Sequence, residues 1–200
     1  MVFYPDINSL VTDPSTFIAF LGHRLLARGS AAAIARAAHA VQGASPPLLV
    51  FDAATSAPLD LDLRGAADEA AARAEQAFAP EPPRGPGRPK LGVEAREVTL
   101  LPRHWDWLRA QPGGASVALR KLVEAASRDP RQEARRAQEA AYKFIHAIGG
   151  DLPGFEEATR ALFARDGAAF AARIAGWPDD IRTHATALAQ PAFARREPSA

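Results

Sequence analysis

Residues 96–126 read REVTLLPRHWDWLRAQPGGASVALRKLVEAA. Arg96–Leu101 (REVTLL) has the length and the Val, Thr and Leu content of a strand. Pro102 then opens a helix to about Ala110, because the first helical position needs no N–H donor. Gln111-Pro112-Gly113-Gly114 breaks it. From Ser116 to Ala126 a second helix carries Leu119, Leu122, Val123 and Ala126 at helical spacing. One strand followed by two helices leaves the strand's N–H and C=O groups in want of a partner. The same strand of a second chain would supply it, so a homodimer is expected.

Charge singles out the same region. The formal net charge of the 200 residues is only +1. Yet residues 81–136 hold 12 Lys/Arg against 7 Asp/Glu, and the remainder holds 12 against 16. A local basic excess of this kind suits a polyanion. Ahead of the strand lies Pro83-Arg84-Gly85-Pro86-Gly87-Arg88-Pro89-Lys90, too rich in Pro and Gly for regular structure. Its Gly87-Arg88-Pro89-Lys90 core resembles an AT-hook, an arm thin enough to lay a guanidinium in the narrow, electronegative A·T minor groove.

The stretch 96–126 resembles the ribbon-helix-helix repressors and antitoxins. There one strand from each of two chains forms a ribbon in the major groove, and the helices build an intertwined core. The resemblance covers about 30 residues, or about 40 with the arm. Taken with the AT-hook-like arm and the helix geometry below, the expected DNA contacts are Arg84, Arg88, Pro89, Lys90, Arg96, Thr99, Arg103, Ser116, Arg120 and Lys121. The resemblance implies a dimer core of Val98, Leu100, Trp105, Leu108, Leu119 and Leu122. Ser116, near a helix N-terminus, would offer its backbone N–H to a phosphate. Two parities of the strand stay open: one aims Arg96, Val98 and Leu100 at DNA, the other buries Val98 and Leu100 and turns Glu97 outward. A one-residue slip exchanges them. A second geometry lays Val117–Ala126 in the groove with Arg120 and Lys121 reaching out. The plainer reading makes Trp105, Trp107, Leu108, Leu119 and Leu122 ordinary core.

Upstream, Thr16–Phe20 and Arg24–Ala27 read as a hairpin about Leu21-Gly22-His23. Gly29-Ser30 stops and caps a helix from Ala31 to about Val41. Leu48–Asp52 is an apolar run of strand length, and Leu59–Arg64 (LDLDLR) alternates with period two, as a half-buried strand does. Together these predict a small ββαββ unit. Ala66–Ala79 is an Ala-rich helix ended by Pro80.

Downstream, Asp129-Pro130 starts a helix with Ala134, Ala137, Ala141, Phe144, Ile145 and Ile148 inward and Gly149-Gly150 at its end. Further helices are expected at 153–164, with Phe155, Ala158, Leu162 and Phe163 inward, at 168–176, and from Trp177-Pro178-Asp179-Asp180 to about Ala189. The predicted organisation is a small α/β unit at 1–65, a helix and basic linker at 66–92, the ribbon-helix-helix-like segment at 93–127 and a helical domain at 128–200. The fold class is α+β, mostly helical.

The chain as a whole resembles an uncharacterised bacterial family carried as a domain of unknown function. The resemblance lies in Phe51-Asp52, Asp60–Gly65, Leu101–Leu108, Gly149–Ala158 and Trp177–Arg182. It implies no activity.

Enzyme signatures are missing from the pattern. With no Cys, thiolate nucleophiles, disulfides and Cys-ligated zinc are excluded. No Gly-x-Ser-x-Gly elbow, phosphate loop or dinucleotide fingerprint occurs. His23, His39, His104, His146 and His184 show no metal-site spacing, although His146 and His184 could meet Glu156 or Glu157 in space. Asp60 and Asp62 read as a solvent face. The expectation is a non-enzyme without metal or cofactor, cytoplasmic, with neither a secretory leader nor a membrane span. Its favoured role is double-stranded DNA binding as a homodimer, in transcription regulation or nucleoid association. The alternative is a protein-interaction adaptor whose helical C-terminal domain docks a partner.

Overall fold

The computed structural model describes residues 16–79 and 96–194. The chain divides into two compact units, one formed by residues 1–80 and 133–200 and the other by 81–132.

The first unit is built on a three-stranded antiparallel sheet of order β2-β1-β3: β1 Phe17–Leu21, β2 Arg24–Gly29 and β3 Leu48–Asp52. The β1–β2 turn passes through Gly22 at φ 57°, where an added Cβ would lie 2.4 Å from the Pro46 Cγ. Ser30 caps α1 (Ala31–Ala40), its hydroxyl accepting the Ala33 N–H at 3.3 Å. After the sheet comes α2 (Ala67–Phe78), whose entry is held by the Glu69 carboxylate accepting the Ala66 N–H at 3.1 Å.

Strand β1 is central and covered on both faces, so its run FIAFL is continuously apolar rather than alternating. Phe17 and Ala19 face α1 and α2, in a core with Ile34, Ala35, Val50 and Ala71. Ile18 and Phe20 face the other way, into a larger core with Phe51, Phe144, Ile145 and Leu188. That second core comes from the C-terminal helices α5 (Pro130–Ile148), α6 (Phe155–Phe163), α7 (Gly167–Ile174) and α8 (Asp179–Phe193). Between α2 and α5, the second unit carries α3 (Pro102–Arg109) and α4 (Gly114–Ser127). The chain is thus α+β with helices predominating.

Three expectations are corrected. Residues 59–64 form no strand, so the N-terminal part is ββαβ rather than ββαββ. A single antiparallel bridge joins Phe51 to Pro58. Pro58 has no N–H to extend a ladder, and pairing to β3 goes no further than Leu59, whose N–H reaches the Val50 carbonyl at 2.9 Å. The segment's alternation survives without a partner: Leu59, Leu61 and Leu63 pack on the smaller core, while Asp60 and Asp62 face solvent. Residues 96–101 likewise belong to no strand. Phe163 is 54% exposed rather than inward. Ala158 and Leu162 fix the buried face of α6, and the next residue lies about 100° further round.

The predicted boundaries at 65 and 128 fall differently too. Residues 16–79 and 133–194 share the larger core, with Phe20 and Phe51 meeting Phe144 at ring-centroid distances of 5.3 and 5.6 Å.

Candidate nucleic-acid interface

In the 81–132 unit, Leu101 precedes α3 in extended conformation and Pro102 occupies its first turn. The turn into α4 uses Gly113 at φ 85°, whose Cβ would come within 3.1 Å of Val117. Only glycine suits that close, left-handed approach. The apolar side chains buried on the two helices are Leu108, 3% exposed, and Ala118, 8% exposed.

The sequence-predicted DNA contacts that are described all stand exposed. Arg96, Thr99, Arg103, Ser116, Arg120 and Lys121 are all exposed. Arg103 and Lys121 form no ion pair among the described residues. Arg120 folds back along α4, its Nε donating to the Ser116 carbonyl at 3.2 Å. Arg109 is matched by Asp106 one turn earlier. Arg84, Arg88, Pro89 and Lys90 lie outside the described residues.

The predicted dimer core divides. Leu108 is buried within the unit, Leu100, Trp105 and Leu119 are half-buried, and Val98 and Leu122 are 52% and 49% exposed. Two further exposed side chains, Trp107 and Val123, belong with them. The helical reading had set Trp107 in the core and Val123 on the apolar stripe of α4. Sequence periodicity marks that stripe but cannot say which of its members the single chain covers.

The histidines and acids find ordinary uses. His39 Nε2 lies 2.9 Å from the Gly65 carbonyl oxygen. His184 is buried against Phe144 and Phe20, and His146 stacks on Tyr142 and nears Phe155. Asp62 accepts the Arg64 guanidinium at 2.7 and 2.8 Å and meets Arg73 at 3.4 Å. The Arg64 hydrogen bonds hold its carboxyl below the usual carboxylate range. Beside it a cleft of about 380 Å³ is lined by Asp60, Leu61, Arg73 and Phe78. Among the described residues no group of three or more His, Asp or Glu is arranged to hold a metal ion. No described helix is long and apolar enough to cross a membrane.

A family model matches residues 16–189, nine-tenths of which are described above. The chain belongs to DUF2239, described as an uncharacterized protein conserved in bacteria. The DUF2239 match runs through both compact units, so the basic central segment lies inside the family's own pattern. No curated protein and no solved structure matches the chain. None of these comparisons relates residues 96–126 to ribbon-helix-helix proteins.

Proposed function

We propose that this DUF2239 member binds double-stranded DNA as a homodimer in the bacterial cytoplasm, as a transcription regulator or nucleoid-associated protein. The observation that carries the reading is the solvent-facing set of described cations at 96–132, with Arg103 and Lys121 lacking ion pairs among the described residues. A cation already neutralised by a carboxylate gains little from a phosphate. One held in water without a partner releases a counterion from DNA when it binds. Phosphate contacts of this kind give affinity and position, and base reading would fall to the ribbon 96–101 and the Gly87–Lys90 arm.

The test is binding of the full chain to A·T-rich and G·C-rich fluorescent duplexes across a salt series. Affinity should fall steeply with salt and favour A·T. Arg103→Ala and Lys121→Ala, each removing two cations from the dimer, should each reduce the magnitude of the slope of log K against log[salt] by about 1.8. Arg88→Ala with Lys90→Ala should reduce the A·T preference. Absence of binding at low salt refutes the proposal.

One observation favours the adaptor reading as a second. Phe163, Tyr142, His146 and Phe155 form a row of ring contacts at 5.3, 5.5 and 6.1 Å along α5 and α6, with Phe163 and His146 exposed. An adaptor would ignore DNA and lose its protein partner on Phe163→Ser.

A further inference from the structure

The seam between β2 and α8 holds two nitrogen atoms with nothing to bond. Arg28 of β2 stands opposite Ile18 of β1. Paired residues of an antiparallel ladder share a face, so Arg28 points with Ile18 toward the larger core, not toward α1 and α2. Helix α8 is fastened to β2 where the Asp180 carboxylate accepts the Leu25 N–H at 2.8 Å. One turn further along α8, His184 is 6% exposed. The Arg28 Nε and the His184 Nε2 are both buried without a hydrogen-bond partner among the described residues. Nor does Arg28 form an ion pair with any described acid.

A buried nitrogen left unbonded costs its desolvation in full, and native proteins hold few of them. Here there are two, on elements that face each other. Burial lowers the pKa of both groups, and the Arg28 guanidinium is the second cause for His184, so the two lie within electrostatic reach. From β1 and α5 the imidazole meets only the rings of Phe20 and Phe144, at 5.8 and 4.6 Å. One acceptor placed between the nitrogens would satisfy both.

Charge decides which acceptor. Water would fill the bonds but leave the half-buried guanidinium uncompensated. A carboxylate sets one negative charge against one positive and takes charge-assisted hydrogen bonds. A phosphate dianion would carry a surplus negative charge into a site walled by aromatic rings, whose faces are negative. We propose that the β2–α8 seam binds a monocarboxylate, with Arg28 Nε–H and His184 Nε2–H donating to its oxygens. Arg28 is half-buried on the edge strand of the sheet, which gives the ligand its way in. Occupation fastens α8 to that edge at a second point beyond the Asp180 contact. The site belongs to the first compact unit and owes nothing to the DNA reading.

The experiment is titration of the full chain with sodium acetate, against sodium chloride at matched ionic strength and neutral pH, without DNA. Calorimetry gives the affinity, and long-range proton–nitrogen NMR follows the His184 ring. Acetate should bind in the millimolar range and move the His184 Nε2 resonance, and chloride should do neither. Arg28→Met keeps the apolar stem, removes the charge and should weaken acetate at least tenfold. His184→Gln, which retains an N–H donor, should weaken it less than His184→Leu. N-acetyl-diglycine presents the same carboxylate as a chain terminus: binding of acetate alone assigns a free acid, and binding of both assigns a site open to peptide ends. Binding of neither, with the His184 resonance unmoved to high millimolar concentration, overturns the proposal and leaves water between the two nitrogens. Equal affinity in Arg28→Met, or tighter binding of inorganic phosphate than of acetate, overturns it as well. If circular dichroism shows Arg28→Met unfolded, the His184 shift in the native chain and the His184→Gln comparison decide.

Discussion

His184 carries an imidazole into an aromatic core: Phe144 meets its ring edge-on at 4.6 Å and Phe20 at 5.8 Å. Burial, with the Arg28 guanidinium as a second cause, brings its pKa down to about 3. In the unfolded chain the same group titrates near ~6.5. On acidification the unfolded state therefore takes up the proton first. The stability due to neutral His184 is complete above about pH 6.5 and is lost as pH falls toward 3, at up to ~1.4 kcal/mol per pH unit. His184→Leu should flatten that part of the profile. Urea midpoints of the two proteins between about pH 7.5 and 4.5 check it, since the carboxylates titrate in both and cancel; parallel profiles would refute it. Gly22 gives a second test at this scale. Its φ of 57° and its 2.4 Å approach to Pro46 leave no room for a methyl group. Gly22→Ala should cost more than about 1 kcal/mol, read as a lowered thermal midpoint. That turn was legible in the sequence as a Leu-Gly-His hairpin, but the need for glycine was not, because Pro46 reaches it from 24 positions away.

At the scale of elements, the smaller core is made by alanine. Ala35 of α1 and Ala71 of α2 are essentially inaccessible, and small side chains at such positions let the helices approach closely. Ala71→Leu should overpack this contact and cost about 1–3 kcal/mol, measurable by denaturant unfolding; a neutral result would mean the helices part easily. Helices were the most legible elements, since periodicity and end signals agree: Ser30 caps α1 as expected, and Pro102 opens α3. The extended segments were less so. Leu59–Leu63 has the alternation of a strand, but alternation reports only that one side is covered. Whether a ladder forms depends on the neighbour, and Pro58 ends it after one bridge. Val98 and Leu101 pose the same problem: their content and spacing read as a strand, yet residues 96–101 belong to none.

At the scale of the molecule, the sheet is the shared wall of two cores, and the larger one needs both ends of the chain. Residues 16–79 alone would expose Ile18, Phe20 and Phe51, which pack against Phe144, Ile145 and Leu188. The fragment 1–80 should accordingly be unfolded by circular dichroism and rapidly cleaved by protease. Adding 133–200 in trans should restore protection, and a protease-resistant 1–80 fragment would show the sheet to be self-sufficient. The sequence could not reveal this union. Both faces of FIAFL are apolar, which says that two layers cover the sheet but not that one of them arrives more than 90 residues later. For the candidate interface, the basic bias of 81–136 was legible from composition, and its described cations stand exposed. The exposed Trp107 and Val123 were not, since their spacing is that of any helix with an apolar side.

The split origin of the larger core sets a timetable during synthesis. Phe51 leaves the ribosome 93 residues before Phe144, a delay of roughly 5–20 s at about 5–20 residues per second. For that interval the apolar residues of β1 and β3 that join the larger core have nothing to lie against, and α3 and α4, with Trp107, Leu122 and Val123 exposed, are made while they wait. The nascent chain should therefore gain from any factor that covers exposed apolar segments. Its yield should depend less on the final stability of the protein than on how well those two sticky surfaces are kept apart until α5 appears.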